Sequence, residues 1–263
     1  MSSITQRATT KAEPLISIQR VGTDGRRFSG NFDLRNIAYT QELIREAVAA
    51  SWSKALSELP KDKADRIISK LNEMSPGTAE RSRTTFKVTP TVYLIGGMAV
   101  ASYALATISA INNVDSNAQL IKSATTRGSD DLDLVCLPDL LGNVTVPGYS
   151  SIKTYERNLV RHIPSVTVIG ALSSENASIL PYLDIYSPHG KSRARSMNGE
   201  VFPISSIRYT FSLTFGDVTI QVAPIEALMA MKRIASAEGS GRTDKDREKD
   251  ARDLTALTAI QRR

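Results

Sequence analysis

The 263-residue chain holds one cysteine, two histidines, one tryptophan and only 6% aromatic residues. A lone cysteine, Cys136, excludes an internal disulfide and a cysteine-based zinc cluster. His162 and His189 are too isolated in the sequence to suggest a metal-binding pair. No long, uniformly apolar run is present. The longest, Val92 to Ile111, is interrupted by Gly96, Gly97, Ser102, Tyr103, Thr107 and Ser109. It reads as strand, turn and helix, and not as a span of ~20 lipid-facing residues. Met1 to Thr10 is polar and has no apolar stretch of the kind a secretory signal needs. The expectation is a cytoplasmic protein with no membrane partner.

What the chain does have is ordinary globular material. Hydrophobic residues make up 41% and charged residues 23%, which excludes wholesale disorder. Lys and Arg number 33 against 27 Asp and Glu, for a formal net charge of +6. A modest basic excess suits an anionic partner such as a nucleotide or RNA, although many basic proteins bind neither. The length allows one large domain, or one core with an appendage.

Residues 1 to about 35 read as irregular, with one short strand at Leu15 to Ile18. Helices are predicted at Tyr39 to Leu59 and Ala64 to Met74, stopped by Pro60 and by Ser75-Pro76-Gly77. Trp52 is expected to pack between these helices. A basic linker (Arg81, Arg83, Lys87) leads to a boundary near Pro90. Beyond it the texture is α/β. Thr91 to Ile95 predicts a buried strand, Gly96-Gly97 a turn, and Met98 to Ile111 a helix. Asn112 to Arg127 reads as a polar connection, followed by a strand over Leu132 to Leu137 that carries Cys136 in the core. A helix is expected over Ser151 to His162. Strands are expected at Val166 to Leu172, Tyr182 to Tyr186, Tyr209 to Phe215 and Val218 to Val222, the last two joined as a hairpin at Gly216-Asp217. Pro224 opens a helix over Ile225 to Ala237. Gly239-Ser240-Gly241 ends it, and Thr243 caps a last helix running to about Ile260. The divisions are 1–90, an N-terminal helical extension; 91–223, the core; and 224–263, a C-terminal helical segment packing on it.

The stretch with most chemical content is Thr126-Arg127-Gly128-Ser129-Asp130-Asp131-Leu132-Asp133-Leu134-Val135. On a strand, residues two apart share a face. Asp131 and Asp133 therefore project together while Leu132 and Leu134 face the other way. Two such carboxylates repel and raise each other's pKa unless a cation lies between them. Hard carboxylate oxygens suit magnesium, or manganese in its place. The bland alternative is a polar turn with solvated acids. Three features weigh against it. Gly96-Gly97 closes a strand and opens a helix, where backbone N–H groups can hold a phosphate. Asp184 lies inside an apolar strand, where an uncompensated charge is costly. Lys232 lies on an otherwise apolar helix, from which it either snorkels to solvent or reaches toward polyphosphate. Asp250 and Asp253, three apart on one helical face, read equally as surface charge beside Lys245, Arg247 and Lys249. The run Lys191 to Arg195 reads as a solvated basic loop or as a contact for an RNA backbone.

Together these elements resemble the nucleotidyltransferase superfamily with the polymerase-beta-like fold, and most closely its AbiEii/AbiGii toxin-like branch. The resembling pieces are Gly96-Gly97-Met98-Ala99, then Arg127-Gly128-Ser129-Asp130-Asp131-Leu132-Asp133-Leu134. They continue as Pro224-Ile225-Glu226 with Lys232, and Lys249-Asp250-Ala251-Arg252-Asp253-Leu254. They occur in that order over residues 91–263. Aminoglycoside and lincosamide nucleotidyltransferases share the first two pieces. Residues Asn112 to Lys122 read as an insertion relative to the branch, and residues 1–90 resemble nothing in it.

The resemblance implies an α+β (α/β) nucleotidyltransferase fold, a small mixed β-sheet flanked by helices. It implies transfer of a nucleoside monophosphate from a nucleoside triphosphate to an acceptor hydroxyl, with release of pyrophosphate. Asp131, Asp133 and Asp184 would hold Mg2+ (or Mn2+), with Asp184 also helping to deprotonate the acceptor. Gly96, Gly97, Arg127 and Ser129 would cradle phosphates. Lys232 would neutralise the β- and γ-phosphates, and Asp250 and Asp253 would orient Lys232 or the substrate. Partners so implied are an RNA or tRNA acceptor and an antitoxin protein. Two readings stand beside this one: an enzyme that modifies small-molecule antibiotics, and a catalytically silent nucleotide- or RNA-binding relative.

Overall fold

The computed structural model describes residues 7–22, 24–74, 77–82, 85–111, 116–127, 129–138, 149–155, 166–171, 179–180, 182–186, 193–195, 201–203, 207 and 209–263. The chain is a mixed α/β protein with six helices among the described residues.

The described residues from 7 to 33 are more regular than expected, and the strand expected at Leu15 to Ile18 lies within a longer one. Three strands form there, β1 (Arg7–Thr10), β2 (Leu15–Val21) and β3 (Arg27–Asp33). The glycines at 22, 25 and 30 suggested loop, but they serve a hairpin. Gly25 takes φ +77° in the turn, and β2 pairs antiparallel with β3 along its whole length. Alternating burial of Ile16 and Ile18 against exposed neighbours marks β2 as one-sided.

Helix α1 (Leu34–Ser57) starts five residues earlier than predicted, because Asp33 caps it by accepting from the Arg35 backbone N–H at 2.9 Å. Helix α2 (Lys61–Met74) follows Pro60. The basic linker holds a small hairpin, β4 (Ala79–Arg81) and β5 (Phe86–Val88). Leu56, Ala64, Leu71, Ala79 and Val88 form a satellite core here, with Trp52 packed against it.

The rest of the chain supplies β6 (Thr91–Leu94), α3 (Gly96–Ile108), α4 (Ser116–Thr125), β7 (Thr126–Arg127) and β8 (Asp131–Leu137). Then come β9 (Tyr149–Tyr155), β10 (Val166–Ala171), β11 (Tyr182–Tyr186), β12 (Arg193–Arg195) and β13 (Val201–Pro203). The chain closes with β14 (Phe211–Phe215), β15 (Val218–Val222), α5 (Ile225–Ser236) and α6 (Asp244–Gln261). Two expectations are corrected. The polar connection after Asn112 contains α4, whose Ala118, Ile121 and Ala124 are buried on one face. The helix expected from Ser151 begins as strand β9, antiparallel to β10; cross-strand pairing overrides helical spacing there. The remainder of that expected helix, with His162, lies outside the described residues, as do Gly128, His189 and Lys191.

The main sheet has eight strands in the order β1-β14-β15-β6-β8-β11-β10-β9, with mixed directions. It is larger than the small sheet expected. The segment before residue 91 adds β1 to one edge and lays α1 across β15 and β6. Buried Gln41 on α1 acts as a substitute strand. Its side-chain amide donates to the Gln221 carbonyl at 2.7 Å and accepts from the Gln221 N–H at 3.0 Å. Strand β15 pairs with β6 only at Val222 and Leu94, so Gln41 supplies the half-buried Gln221 backbone groups with partners that β6 does not. A second sheet, β3-β2-β7, joins the N-terminal hairpin to the segment just before β8. The hairpin at Gly216-Asp217 forms as predicted, with Gly216 at φ +61°, as a two-residue turn requires at its first central position.

Candidate metal centre

Strand β8 lies between β6 and β11 in the interior of the main sheet. It pairs parallel with β11, in a register that sets Asp133 opposite Asp184 and Asp131 opposite Tyr182. Residues paired across neighbouring strands share a face. Asp131, Asp133 and Asp184 therefore project to the same side. Each offers a carboxylate oxygen, and these oxygens all lie within 4.8 Å of one another. Octahedral magnesium, at about 2.1 Å from each oxygen, needs them no more than about 4.2 Å apart, a side-chain-scale adjustment. The donor set is three hard anionic oxygens, which suits such a cation and does not suit a soft one.

The electrostatics point the same way. Burial, and then the neighbouring Asp131 and Asp184 charges, push the Asp133 carboxyl up to about 8. Asp131 is also raised, first by burial and then by Asp130, against the opposing pull of Lys249, Lys232 and Arg242. A buried carboxyl this perturbed is stable either protonated or beside a cation. Tyr186, two residues beyond Asp184 on the same face, donates its hydroxyl to Asp133 Oδ1 at 3.0 Å. That bond favours the ionised form of Asp133. In turn, burial first and then the nearby Asp133 charge drive the Tyr186 hydroxyl well above its ordinary range.

Gly96 closes the site from above. It opens α3 directly after β6, at φ +67°. A Cβ built there would stand 2.0 Å from Asp133 Oδ2. Only glycine meets both demands, a left-handed backbone and a carboxylate in van der Waals contact. The Ile95 N–H donates to the Asp133 carbonyl at 3.0 Å, which ties the helix entry to β8. Gly97 is buried in the first turn of α3.

Ser129 is buried at 3% exposure, and its hydroxyl donates to the Asp131 carbonyl at 3.0 Å. That bond secures the entry to β8. Arg127 lies on β7, with its backbone paired opposite Ile18 of β2. Arg20 of the same hairpin lies 3.4 Å from Asp130 and stacks over the Phe28 ring at 5.2 Å.

Lys232 does not snorkel to solvent, and Asp250 and Asp253 are not surface charges. Lys232 Nζ lies 2.6 Å from Asp250 Oδ1 and 2.7 Å from Asp253 Oδ2. Both aspartates are buried, on the inner face of α6 against α5. Arg242, in the α5–α6 loop, donates from Nη1 to Asp250 Oδ2 at 2.9 Å. Sequence reasoning named the two acids and the lysine but missed Arg242 and Tyr186. Tyr186 carried a readable signal, since it shares the strand face of Asp184. Arg242 carried none, because a loop residue has no periodicity to place it.

No helix among the described residues is long and apolar enough to cross a membrane. Comparison of the chain with protein families, with curated proteins and with solved structures returned no match.

Proposed function

We propose that the chain is a metal-dependent nucleotidyltransferase. It would move a nucleoside monophosphate from a nucleoside triphosphate to an acceptor hydroxyl and release pyrophosphate. The observation that supports this reading best is the convergence of Asp131, Asp133 and Asp184 within 4.8 Å beneath a glycine that admits no side chain. The order of motifs, from Gly96-Gly97 through Asp131-Leu132-Asp133 to Lys249-Asp250, supports it independently. In this reading the mixed sheet with its helices is a nucleotidyltransferase fold.

Asp131, Asp133 and Asp184 would hold Mg2+ (or Mn2+). When bound, the ion supplies charge stabilisation to the transferring phosphoryl group. The chain's own residues do the rest. Asp184 orients the acceptor hydroxyl and takes up its proton as the acceptor oxygen bonds to the α-phosphorus. The bond from the α-phosphorus to the bridging oxygen breaks, and that oxygen leaves with pyrophosphate. Tyr186 favours the ionised form of Asp133 and fixes its orientation. Gly96 holds the helix entry close above the carboxylates, so that backbone N–H groups rather than a side chain meet the phosphates. Asp250 and Asp253 hold Lys232. The acceptor we favour is RNA, including tRNA, in keeping with the basic balance of the chain and the toxin-like branch, where an antitoxin would be the protein partner.

Incubation with magnesium, each labelled nucleoside triphosphate and total RNA tests the proposal. Label should pass to RNA and should fail to do so in Asp131→Ala. Label passing only to an aminoglycoside would replace RNA with a small-molecule acceptor. No transfer to either, with nucleotide binding unchanged in Asp131→Ala, would overturn the enzymatic reading.

A further inference from the structure

Strand β11 turns three side chains, Tyr182, Asp184 and Tyr186, to the face of the carboxylates, since residues two apart on a strand share a face. Leu183 and Ile185 are buried at 1% on the opposite face. Asp184 converges with Asp131 and Asp133, and Tyr186 turns its hydroxyl to Asp133 Oδ1 at 3.0 Å. Tyr182, at the start of the same strand, is 53% exposed. Among the described large apolar side chains that are exposed, it is the one on a strand that carries a site carboxylate.

The pairing of Tyr182 sets it beside the carboxylates and leaves its other flank open. On β8 its partner is Asp131, on a strand about 4.8 Å away. On β10 its partner is Gly170, which has no side chain to set against the ring. The β9–β10 ladder slips its register at the same point, between Ile169 and Ala171. A glycine and a bulge inside a strand mark a place where another molecule can come close. The N-terminal hairpin braces the entries of both site strands. Arg20 of β2 lies 3.4 Å from Asp130, the residue before Asp131. A Cβ built at Gly30 of β3 would stand 2.7 Å from the Cδ1 of Ile179, in the segment leading into Tyr182. The ring is thus held in place by a part of the chain that carries none of the motifs.

We infer that Tyr182 is the stacking platform for the terminal base of an RNA acceptor. The inference rests on the proposed function for the reaction at the site. Strand β8 divides the site into two sides. On one side Gly96 and the first turn of α3 rise directly after β6, where phosphates would be held. On the other side β11 carries Asp184, which would orient the acceptor hydroxyl. Tyr182 belongs to the acceptor side. It precedes Asp184 by two residues on one face, about 6.6 Å along the strand. That spacing matches the separation of a nucleobase from the hydroxyls of its own ribose. A flat aromatic ring receives any base, because every base has a π-face. An acceptor without an aromatic base gains no stacking there.

The test is titration of the full chain, with magnesium, against a short single-stranded oligoribonucleotide ending in 2-aminopurine, whose fluorescence falls when the base stacks. The fluorescence should fall on binding to the wild-type chain. Tyr182→Ala should weaken binding about 10-fold, the worth of one stacked base, and abolish the quench. Tyr182→Phe and Tyr182→Trp, which keep a ring, should retain both. Mn2+ affinity and Tm should stay near wild type in all three, because the ring is exposed. Unchanged affinity and quench in Tyr182→Ala, equal losses in Tyr182→Ala and Tyr182→Phe, or no binding by the wild-type chain would overturn the inference. So would a Tyr182→Ala chain that loses affinity for nucleoside triphosphate and not for the oligonucleotide, which assigns the ring to the incoming base. The two readings fail separately. A wild-type chain that stacks the oligonucleotide end on Tyr182 but transfers no nucleotide refutes the enzymatic proposal alone. A chain that transfers nucleotide to RNA with an unchanged acceptor KM in Tyr182→Ala refutes this inference alone.

Discussion

This protein has two clusters of buried or half-buried aspartates, and they are compensated in opposite ways. On α6, Asp250 and Asp253 are met by Lys232 and Arg242 at 2.6 to 2.9 Å, so every charge has its counter-charge within the chain. On β8 and β11, Asp131, Asp133 and Asp184 converge on each other, and the best partner of Asp133 is the neutral hydroxyl of Tyr186. The first arrangement holds two helices together. The second is unfavourable in isolation, and a cation from outside would offset the repulsion. A group that destabilises its own fold unless a ligand binds is a marker of function, and a group whose charge is internally matched is more often structural.

The comparison predicts opposite responses to removing charge. Lys232→Met removes the cation shared by two buried carboxylates, leaving Arg242 on Asp250, and should cost about 3–5 kcal/mol of stability by urea unfolding. Asp133→Asn removes a repelling charge. It should leave the metal-free chain as stable as wild type or more so, while lowering Mn2+ affinity by about 100-fold or more by calorimetry. If Lys232→Met proved harmless and Asp133→Asn destabilising, the assignment of structural and functional clusters would be reversed.

Gly96→Ala sharpens the point from the backbone side. A left-handed alanine alone costs about 1–2 kcal/mol, and its Cβ would press on Asp133. Loss of Mn2+ binding is expected beyond the loss of Tm. Gly216→Ala, at a comparable φ but with open space around it, should show the stability loss alone.

The pH response follows from Asp133. Its folded pKa is raised to about 8, against an ordinary value of 3.8. Between those values the folded chain holds more protons at this site than the unfolded chain, so stability falls as pH rises. In thermal melts, the Tm of the metal-free chain should fall between about pH 5 and 8 relative to Asp133→Asn. Saturating Mn2+ should remove much of that slope, because metal binding requires the ionised form and releases a proton.

The smallest effect is expected for Tyr186→Phe. The hydroxyl favours ionised Asp133, and a hydrogen bond to a charged group is worth about 1.5–3 kcal/mol. Mn2+ affinity should drop by roughly one order of magnitude at neutral pH and recover as pH rises. A drop that does not depend on pH would assign Tyr186 a packing role only.

Much of this site was legible before any coordinates. Asp131 and Asp133 were readable because strand alternation is local: once β8 is recognised, their shared face follows. Gly96-Gly97, the α5 and α6 boundaries and the 216–217 turn were readable for the same reason. Strands β1 and β3 were not, and β2 only over Leu15 to Ile18, because the glycines here are equally common in loops and the pairing partners are remote, β14 and β7 among them. Strand β9 was misread as a helix because its pattern is ambiguous over a short stretch, and pairing with β10 decided it.

By itself the sequence determined which groups could carry charge and which local face each would occupy. It placed two aspartates side by side on a strand, a glycine at a helix entry, and two acids three apart on a helix. Only the tertiary structure decided which charges would be matched. Register between β8 and β11 brought Asp184 to Asp133, and packing of α6 on α5 gave Lys232 to Asp250 and Asp253. The physical reason is range. Periodicity is set by backbone geometry over a few residues, whereas the energy of a buried charge depends on neighbours that only the folded chain supplies.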